Sequence, residues 1–325
     1  MASPSLHILE VGHGNCSIVL DTEGVIVIDG GPGEHLSRRL ERLHIQTIHS
    51  VLVSHAHEDH LGGLIGLLMQ PDICIKRIYL NSNAFERTKV WQDFRSALAY
   101  ARRAYCTEVH VELTSALSGA VRHGILEVQV LAPSPELAAA GPGGTDLKGR
   151  KIGTNRMSAV IRILKNGTPV ALLAGDLDGV GLEDLAQDHP RPSAEILVFP
   201  HHGGIPGATS PTAFTQKLCE MVRPRLVVFS IGRENALTPQ PEVMDAILDS
   251  LDDVHIMCTQ LSKRCWGQTR SSRRSRRLNR GSESADSCAG TIVVDLSGDS
   301  VAISPGPGEH ARFVARCVPG AICRR

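Results

Sequence analysis

Residues 55–63 read His55-Ala56-His57-Glu58-Asp59-His60-Leu61-Gly62-Gly63 and directly follow the apolar run 48–53. A short run rich in Ile, Val and Leu reads as a strand buried on both faces. His55 and His57 are two apart, so in extended chain both project to one side. Asp59 and His60 follow as the chain turns into Leu61-Gly62-Gly63. Three imidazoles and a carboxylate within six residues, at the mouth of a buried strand, form a donor set suited to borderline cations such as Zn²⁺.

Upstream, 16–20 and 25–28 are β-rich runs around Asp21-Thr22-Glu23-Gly24, which predicts an N-terminal hairpin. Leu36, Leu40 and Leu43 then recur at helical spacing over 34–43. Downstream the pattern predicts a strand at 75–80, a helix at 86–103, two short strands within 109–131, and a Gly/Pro-rich surface loop at 133–151. A second hairpin, 158–164 with 169–173, turns on Asn166-Gly167. Strands at 196–199, 226–230 and 254–258 follow with helices between them, then a polar Arg/Ser-rich insertion at 262–286 and a last hairpin, 292–296 with 301–303. Hairpins at both ends with strands and helices alternating between them predict an α/β fold, an αββα sandwich. The expected division is 1–257, followed by a Cys/Arg-rich C-terminal segment, 258–325, that completes the second sheet.

Six further segments occur in order. They are Val11-Gly12-His13-Gly14-Asn15-Cys16, Val27-Ile28-Asp29-Gly30-Gly31, Asn155-x-x-Ser158, Ala174-Gly175-Asp176, Pro200-His201-His202-Gly203-Gly204 and Ser230-Ile231-Gly232-Arg233-Glu234-Asn235. Taken with His55-x-His57-x-Asp59-His60, they make the chain resemble the metallo-β-lactamase superfamily. Within it, the chain is most similar to the hydrolase domain of ComEC-type DNA-uptake proteins, over about residues 6–250. The chain departs from that pattern at His57, where the uptake proteins show Asp, at Asn15 and Cys16, which replace Asp and Ser, and at Ala236-Leu237-Thr238-Pro239.

The resemblance implies a hydrolase domain over 1–257 that uses two divalent ions, Zn²⁺ first and Mn²⁺ as the alternative. It implies that His55 and His57 bind one ion, that Asp59 and His60 bind the other, and that Asp176 bridges them. His202, or less readily His201, would complete the second set, and the other of the pair would touch the substrate. Asp29 would orient a ligand imidazole through its second nitrogen. Asp59, Asp176 and His201 would be the catalytic groups, with Asn155 and Ser158 as substrate contacts. Most members carry one more metal histidine between the first motif and the bridging Asp. His110 and His123 lie in that interval in other sequence contexts, so water is expected to fill one ion's shell. The implied activity is a phosphodiesterase or nuclease. The alternatives are a hydrolase of another ester, thioester or lactam, and a nucleic-acid-binding or regulatory subunit with a degenerate site, because the scaffold hosts many chemistries.

Composition adds two clues. Lys+Arg and Asp+Glu both number 34, yet 254–282 holds eight basic residues and no acidic one, leaving 26 basic against 34 acidic elsewhere. The chain is an acidic body with a basic strip. Arg273, Arg274, Arg276 and Arg277 are its densest block, suited to phosphate oxygens, and nucleic acid or a nucleotide diester is the expected partner. Aromatics are only 3 %, which disfavours base-stacking binders of single strands. Five of nine cysteines fall in the last quarter. Cys258, Cys265, Cys288 and Cys317 are candidates for a third, structural zinc, with free thiols or a disulfide staple as the other readings. No secretory signal or membrane span is read from the sequence, and a cytoplasmic location is expected.

Overall fold

The structure is a computed structural model that describes residues 3–83, 85–233, 237–266 and 287–324. Its strands are β1 (Ser5–Ile8), β2 (Ser17–Asp21), β3 (Gly24–Ile28), β4 (Thr47–Leu52), β5 (Cys74–Tyr79), β6 (Glu108–His110), β7 (Val121–His123), β8 (Leu126–Ala132), β9 (Val160–Lys165), β10 (Thr168–Leu173), β11 (Ile196–Val198), β12 (Leu226–Phe229), β13 (His255–Cys258), β14 (Ile292–Asp295) and β15 (Ala302–Ser304). Its helices are α1 (His35–Arg42), α2 (Glu58–Leu67), α3 (Lys89–Ala104), α4 (Pro135–Ala140), α5 (Gly179–Asp188), α6 (Pro211–Val222), α7 (Pro241–Ser250), α8 (Lys263–Trp266) and α9 (Pro307–Cys317). An eight-stranded sheet runs β15-β14-β1-β2-β3-β4-β5-β6, and a seven-stranded sheet runs β13-β12-β11-β10-β9-β8-β7.

Alternation along the strands builds four layers. Leu6, Val19, Ile26 and Ile28 from the first sheet meet Val128, Ile161, Ile163, Ile196 and Val228 from the second in one buried core. The opposite residues of the same strands, Ile18, Leu20 and Val27, pack with Leu36, Leu64 and Phe94 of α1, α2 and α3. Val160, Leu172, Leu197 and Val227 face outward to Leu185, Leu218 and Ile247 of α5, α6 and α7. Period-two strands between helices thus bury both faces of both sheets, which is the α/β/β/α order the sequence predicts.

Two expectations are corrected. The C-terminal hairpin does not complete the second sheet: β14 pairs antiparallel with β1, Ser5 opposite Asp295 and Ile8 opposite Ile292, so it extends the first. The short alternating pattern of this hairpin suits either sheet, and the free edge of β1 decides. The loop expected over 133–151 contains α4, started by Pro135 and capped by the Ser134 hydroxyl accepting from Leu137 N–H. Further along, the buried Arg156 binds Asp146 and Asp184, tying this segment to α5. Among the described residues, no helix is long and apolar enough to cross a membrane.

His7 on β1 links fold stability to pH. Its Nδ1 accepts from Arg39 Nη2 at 2.9 Å, so Nε2–H donates to Ser5 Oγ at 3.1 Å. Burial, and then the Arg39 charge, lower its pKa from 6.5 to about 4. Above pH 6.5 neither folded nor unfolded chain holds this proton. Below it the unfolded chain takes the proton first, so stability falls until the folded pKa is reached. We expect His7→Gln to reduce the stability lost between pH 7 and pH 5 by about 2 kcal/mol, read from urea unfolding at both pH values. An unchanged loss would remove His7 from the account.

Candidate metal centre

The motif after β4 folds as its spacing requires. His57 is extended (φ −86°, ψ 152°) and sits at the N-cap of α2, with Glu58 and Asp59 in the first turn, where the helix dipole favours negative charge. The helix start is clamped by backbone: Gly30 N–H donates to His60 O and Gly63 N–H to Gly31 O, both at 2.6 Å. Any Cβ on Gly63 would stand 2.5 Å from Gly30 O and 2.9 Å from Gly33 O, so this close approach requires glycine.

The first motif and the later segments converge from both sheets. Ligand atoms of Asp59, His60, Asp176 and His202 lie within 4.8 Å of one another, and those of His55, His57 and Asp176 do likewise. Asp176 belongs to both groups, and its two oxygens divide between them. Oδ1 is 3.1 Å from His60 Nε2 and 3.6 Å from His202 Nε2, while Oδ2 is 3.5 Å from His55 Nε2 and 3.0 Å from His201 Nδ1. His202 Nε2 also lies 3.1 Å from Asp59 Oδ2, and His55 Nε2 lies 3.1 Å from His57 Nδ1.

Three of the imidazoles are held from behind. His60 Nδ1 meets Asp29 Oδ2 at 2.8 Å, and Asp29 also accepts Ser54 N–H and Ser54 Oγ–H at 2.7 Å each. His202 Nδ1–H donates to Ser230 O at 2.7 Å. His55 Nδ1 faces the hydroxyls of Ser54 at 3.1 Å and Ser158 at 3.3 Å. Partners of this kind fix which nitrogen faces inward.

The electrostatics suit cations. Burial opposes charge on Asp176, but His60 and His202 outweigh it and hold the carboxyl well below its usual range. Burial likewise opposes charge on Asp59, and the His202 contact and His60 hold it down. Burial, then the neighbouring His60, depress His55 to about 4, so it is a neutral donor. On His60 burial is outweighed by Asp176 and Asp29, which raise its pKa well above the usual histidine value. Two buried carboxylates therefore draw positive charge into the pocket, and divalent ions on these donors would supply it. The residues fit the metals that the motif implies.

The remaining expected residues fall as follows. Between the adjacent histidines, it is the buried His202 that joins the four-donor group. His201 is 34 % exposed in its side chain and reaches Asp176 from the edge. Ser158, expected against substrate, is instead fully buried, its hydroxyl accepting Asp176 N–H at 2.8 Å behind His55. Asn155 opens the 3₁₀ turn Asn155–Met157, with its buried Oδ1 free of any protein hydrogen bond. Arg273, Arg274, Arg276 and Arg277 lie outside the described residues. His110 stacks on Tyr79 and His123 lies tilted against His49, and among the described residues neither belongs to a group of metal donors.

Two residues escaped the sequence reading. Glu86 places Oε2 3.9 Å from His57 Nε2, the nitrogen turned away from His55. His13 lies tilted against His202 with ring centroids 4.3 Å apart and brings Nε2 to 4.0 Å from Asp59 Oδ2. His13 stands within the Gly12–Gly14 segment that the resemblance singled out, but a lone histidine between glycines has no spacing to mark it.

Residues 9–150 match the family model described as the metallo-beta-lactamase superfamily. No curated protein matches the chain. Among solved structures, the chain is similar to YhfI, a metallo-beta-lactamase fold protein from Bacillus subtilis, at 9 % identity and TM-score 0.46, covering 78 % of this chain and 96 % of that one. It is similar to a metallo hydrolase from the hyperthermophilic archaeon Ignicoccus hospitalis at 14 % identity and TM-score 0.43, covering 78 % and 95 %. It is also similar to the short form of human tRNase Z at 14 % identity and TM-score 0.38, covering 69 % and 91 %. Over residues 9–150, which include His55, His57, Asp59 and His60, the chain thus matches the metallo-beta-lactamase superfamily, and its mixed α/β architecture is consistent with that family's sandwich.

Proposed function

We propose that this chain is a metal-dependent hydrolase of phosphodiesters in nucleic acid or a nucleotide. The observation that carries the reading is the pair of donor groups sharing Asp176. His55 and His57 would hold one divalent ion, Asp59, His60 and His202 the other, and Asp176 both. When bound, such ions supply Lewis acidity, which neutralises charge on a phosphoryl oxygen and acidifies a water. The phosphodiester assignment is supported by the ordered likeness to ComEC-type hydrolase domains and by the basic strip at 263–280.

The protein's own residues would do the rest. Asp29 and Ser230 O keep His60 and His202 turned inward. Ser158 holds Asp176 by its backbone N–H and leaves no hydroxyl for substrate. His201 Nδ1 is engaged by Asp176, so its Nε2 is the nitrogen left to donate to an anionic substrate oxygen. Asp59, 27 % exposed, is the carboxylate open to the cleft that can orient a water.

The deciding experiment is turnover of ssDNA, dsDNA, RNA, cyclic dinucleotides and bis-p-nitrophenyl phosphate with Zn²⁺, Mn²⁺ or Mg²⁺, beside a thioester and a lactam. We expect chelator-sensitive cleavage of at least one diester. Metal-loaded protein inert on every diester would overturn the reading, and turnover of the thioester or lactam alone would reassign it.

Two variants probe the roles. Asp176→Asn should weaken both metals together and lower kcat/KM by about 10³-fold or more. His201→Ala should keep the metal content and lower kcat/KM by about 10²-fold; loss of metal from that variant would make His201 a ligand instead. Deleting residues 268–282 should weaken nucleic-acid binding and flatten its salt dependence, because Arg–phosphate contacts release counterions. Unchanged binding would detach the strip from the substrate.

A further inference from the structure

A second concentration of metal-ligating side chains lies at the β13 edge of the second sheet, independent of the His/Asp centre. Cys258 ends β13 and Cys265 lies in α8. Cys288 is zipped beside Cys258: its N–H donates to Thr259 O at 3.1 Å, and Ala289 N–H donates to Cys258 O at 2.9 Å. Cys323 arrives in the tail after α9. These four thiols line one small cavity together with Leu261 and Val314. Cys317, which the sequence reading grouped with them, does not line it, and Cys323 takes its place. Cys317 ends α9 and is buried in the same apolar cluster, but the cavity itself is lined by residues beyond the helix, Val318, Ala321, Ile322 and Cys323.

Four thiols, Cys288 buried and the other three half-buried, could serve simply as small apolar side chains. The surroundings of Cys288 argue otherwise. His310, 1 % exposed, brings Nε2 to 3.2 Å from the Cys288 sulfur, and its Nδ1 is 3.0 Å from His255 Nε2. If His255 donates to Nδ1, the His310 proton sits on Nε2 and points at the sulfur; in the reverse arrangement the Cys288 thiol donates to Nε2. Burial, then His255, lower the His310 pKa to about 3, so this ring stays neutral. The backbone N–H of Cys258 is a second donor toward the same sulfur. N–H groups aimed at sulfur favour a thiolate, but burial and the neighbouring thiols push the Cys258 and Cys288 pKa values well up. Four thiols from separate segments of the chain converge on one cavity, and a tetrahedral set of soft donors is what zinc binds.

We propose that Cys258, Cys265, Cys288 and Cys323 bind a structural zinc ion. Binding releases four protons and involves no redox change. Among the described residues no cysteine belongs to a trio of donors within 4.8 Å, so loading draws the sulfurs inward by rotation about χ1 toward Zn–S distances of about 2.3 Å. The ion would staple β13, α8, the segment after residue 287 and the C-terminal tail. Cys265 and Cys288 also flank the Arg/Ser-rich stretch in sequence, so the same ion would anchor both of its ends.

The test is cobalt loading together with zinc counting on the full chain. The His/Asp centre has only nitrogen and oxygen donors, so a thiolate-to-Co(II) charge-transfer band reports the cysteine site alone. We expect that band in wild type and in Asp176→Ala/His202→Ala, which should retain one zinc per chain. Cys288→Ser and Cys323→Ser should each lose the band and one zinc, with Cys317→Ser unaffected. Cys323→Ser, in the tail, should remain folded and keep its diester turnover. Absence of the band in folded, cobalt-loaded wild type would overturn the proposal. So would equal zinc content in wild type and Cys323→Ser, or a disulfide among these four cysteines in freshly purified protein.

Discussion

The carboxylate of Asp176 is the constraint around which the sandwich is organised. It is 3 % exposed and stands where the ends of both sheets meet, so its charge must be answered by the groups around it. Its two oxygens face four histidines, and its own N–H is taken by Ser158. The preceding Gly175 has φ +52°, and a Cβ there would stand 2.2 Å from Ser158 Oγ. Side chain and backbone on either side of Asp176 thus converge on one serine. β9 and β10 must hold their register for that contact to exist, and β4 must end where His55 can meet the same carboxylate.

A second constraint follows from the chemistry of imidazole. A histidine binds a cation through one unprotonated nitrogen, and its other nitrogen needs a partner that settles the ring's orientation. Asp29 and Ser230 O do this for His60 and His202. Local backbone strain accompanies the arrangement: Asp29, His201 and His202 all have positive φ, at 57°, 52° and 56°. Each such residue costs on the order of 1–3 kcal/mol and persists only where the surroundings over-determine it. Asp29 is held by three hydrogen bonds to its carboxylate, and His202 by its Ser230 bond and by the His13 ring tilted against it.

These constraints explain what could be read from the sequence. His55, His57, Asp59 and His60 are legible because strand and helix periodicities act over a few residues. The four-layer order is legible for the same reason. The choice between His201 and His202 is not, since adjacent residues share every local signal and only the left-handed turn at Pro200–Gly203 separates them. The burial of Ser158 is not legible either, because it depends on β4, more than a hundred residues away. Glu86 and His13 reach the site across loops with no spacing of their own. The sheet that β14 joins depends on β1, nearly 300 residues distant. The exchange of Cys317 for Cys323 turns on how the chain leaves α9.

The two donor clusters differ in kind, and that difference bears on how one chain could sort its metals. The His/Asp centre offers nitrogen and hard oxygen, donors that Zn²⁺, Mn²⁺ and other divalent ions all accept. The proposed cysteine site offers sulfur in an apolar cavity, which selects zinc over magnesium or manganese. Exchange of ions at the first would then leave the second untouched. It also recasts the zero net charge of the chain. The excess of acid outside 254–282 includes Asp59 and Asp176, which belong to the donor groups, and Asp29, which stands behind His60. Ions bound there would turn an anionic pocket into the region that attracts a phosphodiester. The site's sign is therefore set by its occupancy, and the count of side chains alone cannot predict the partner.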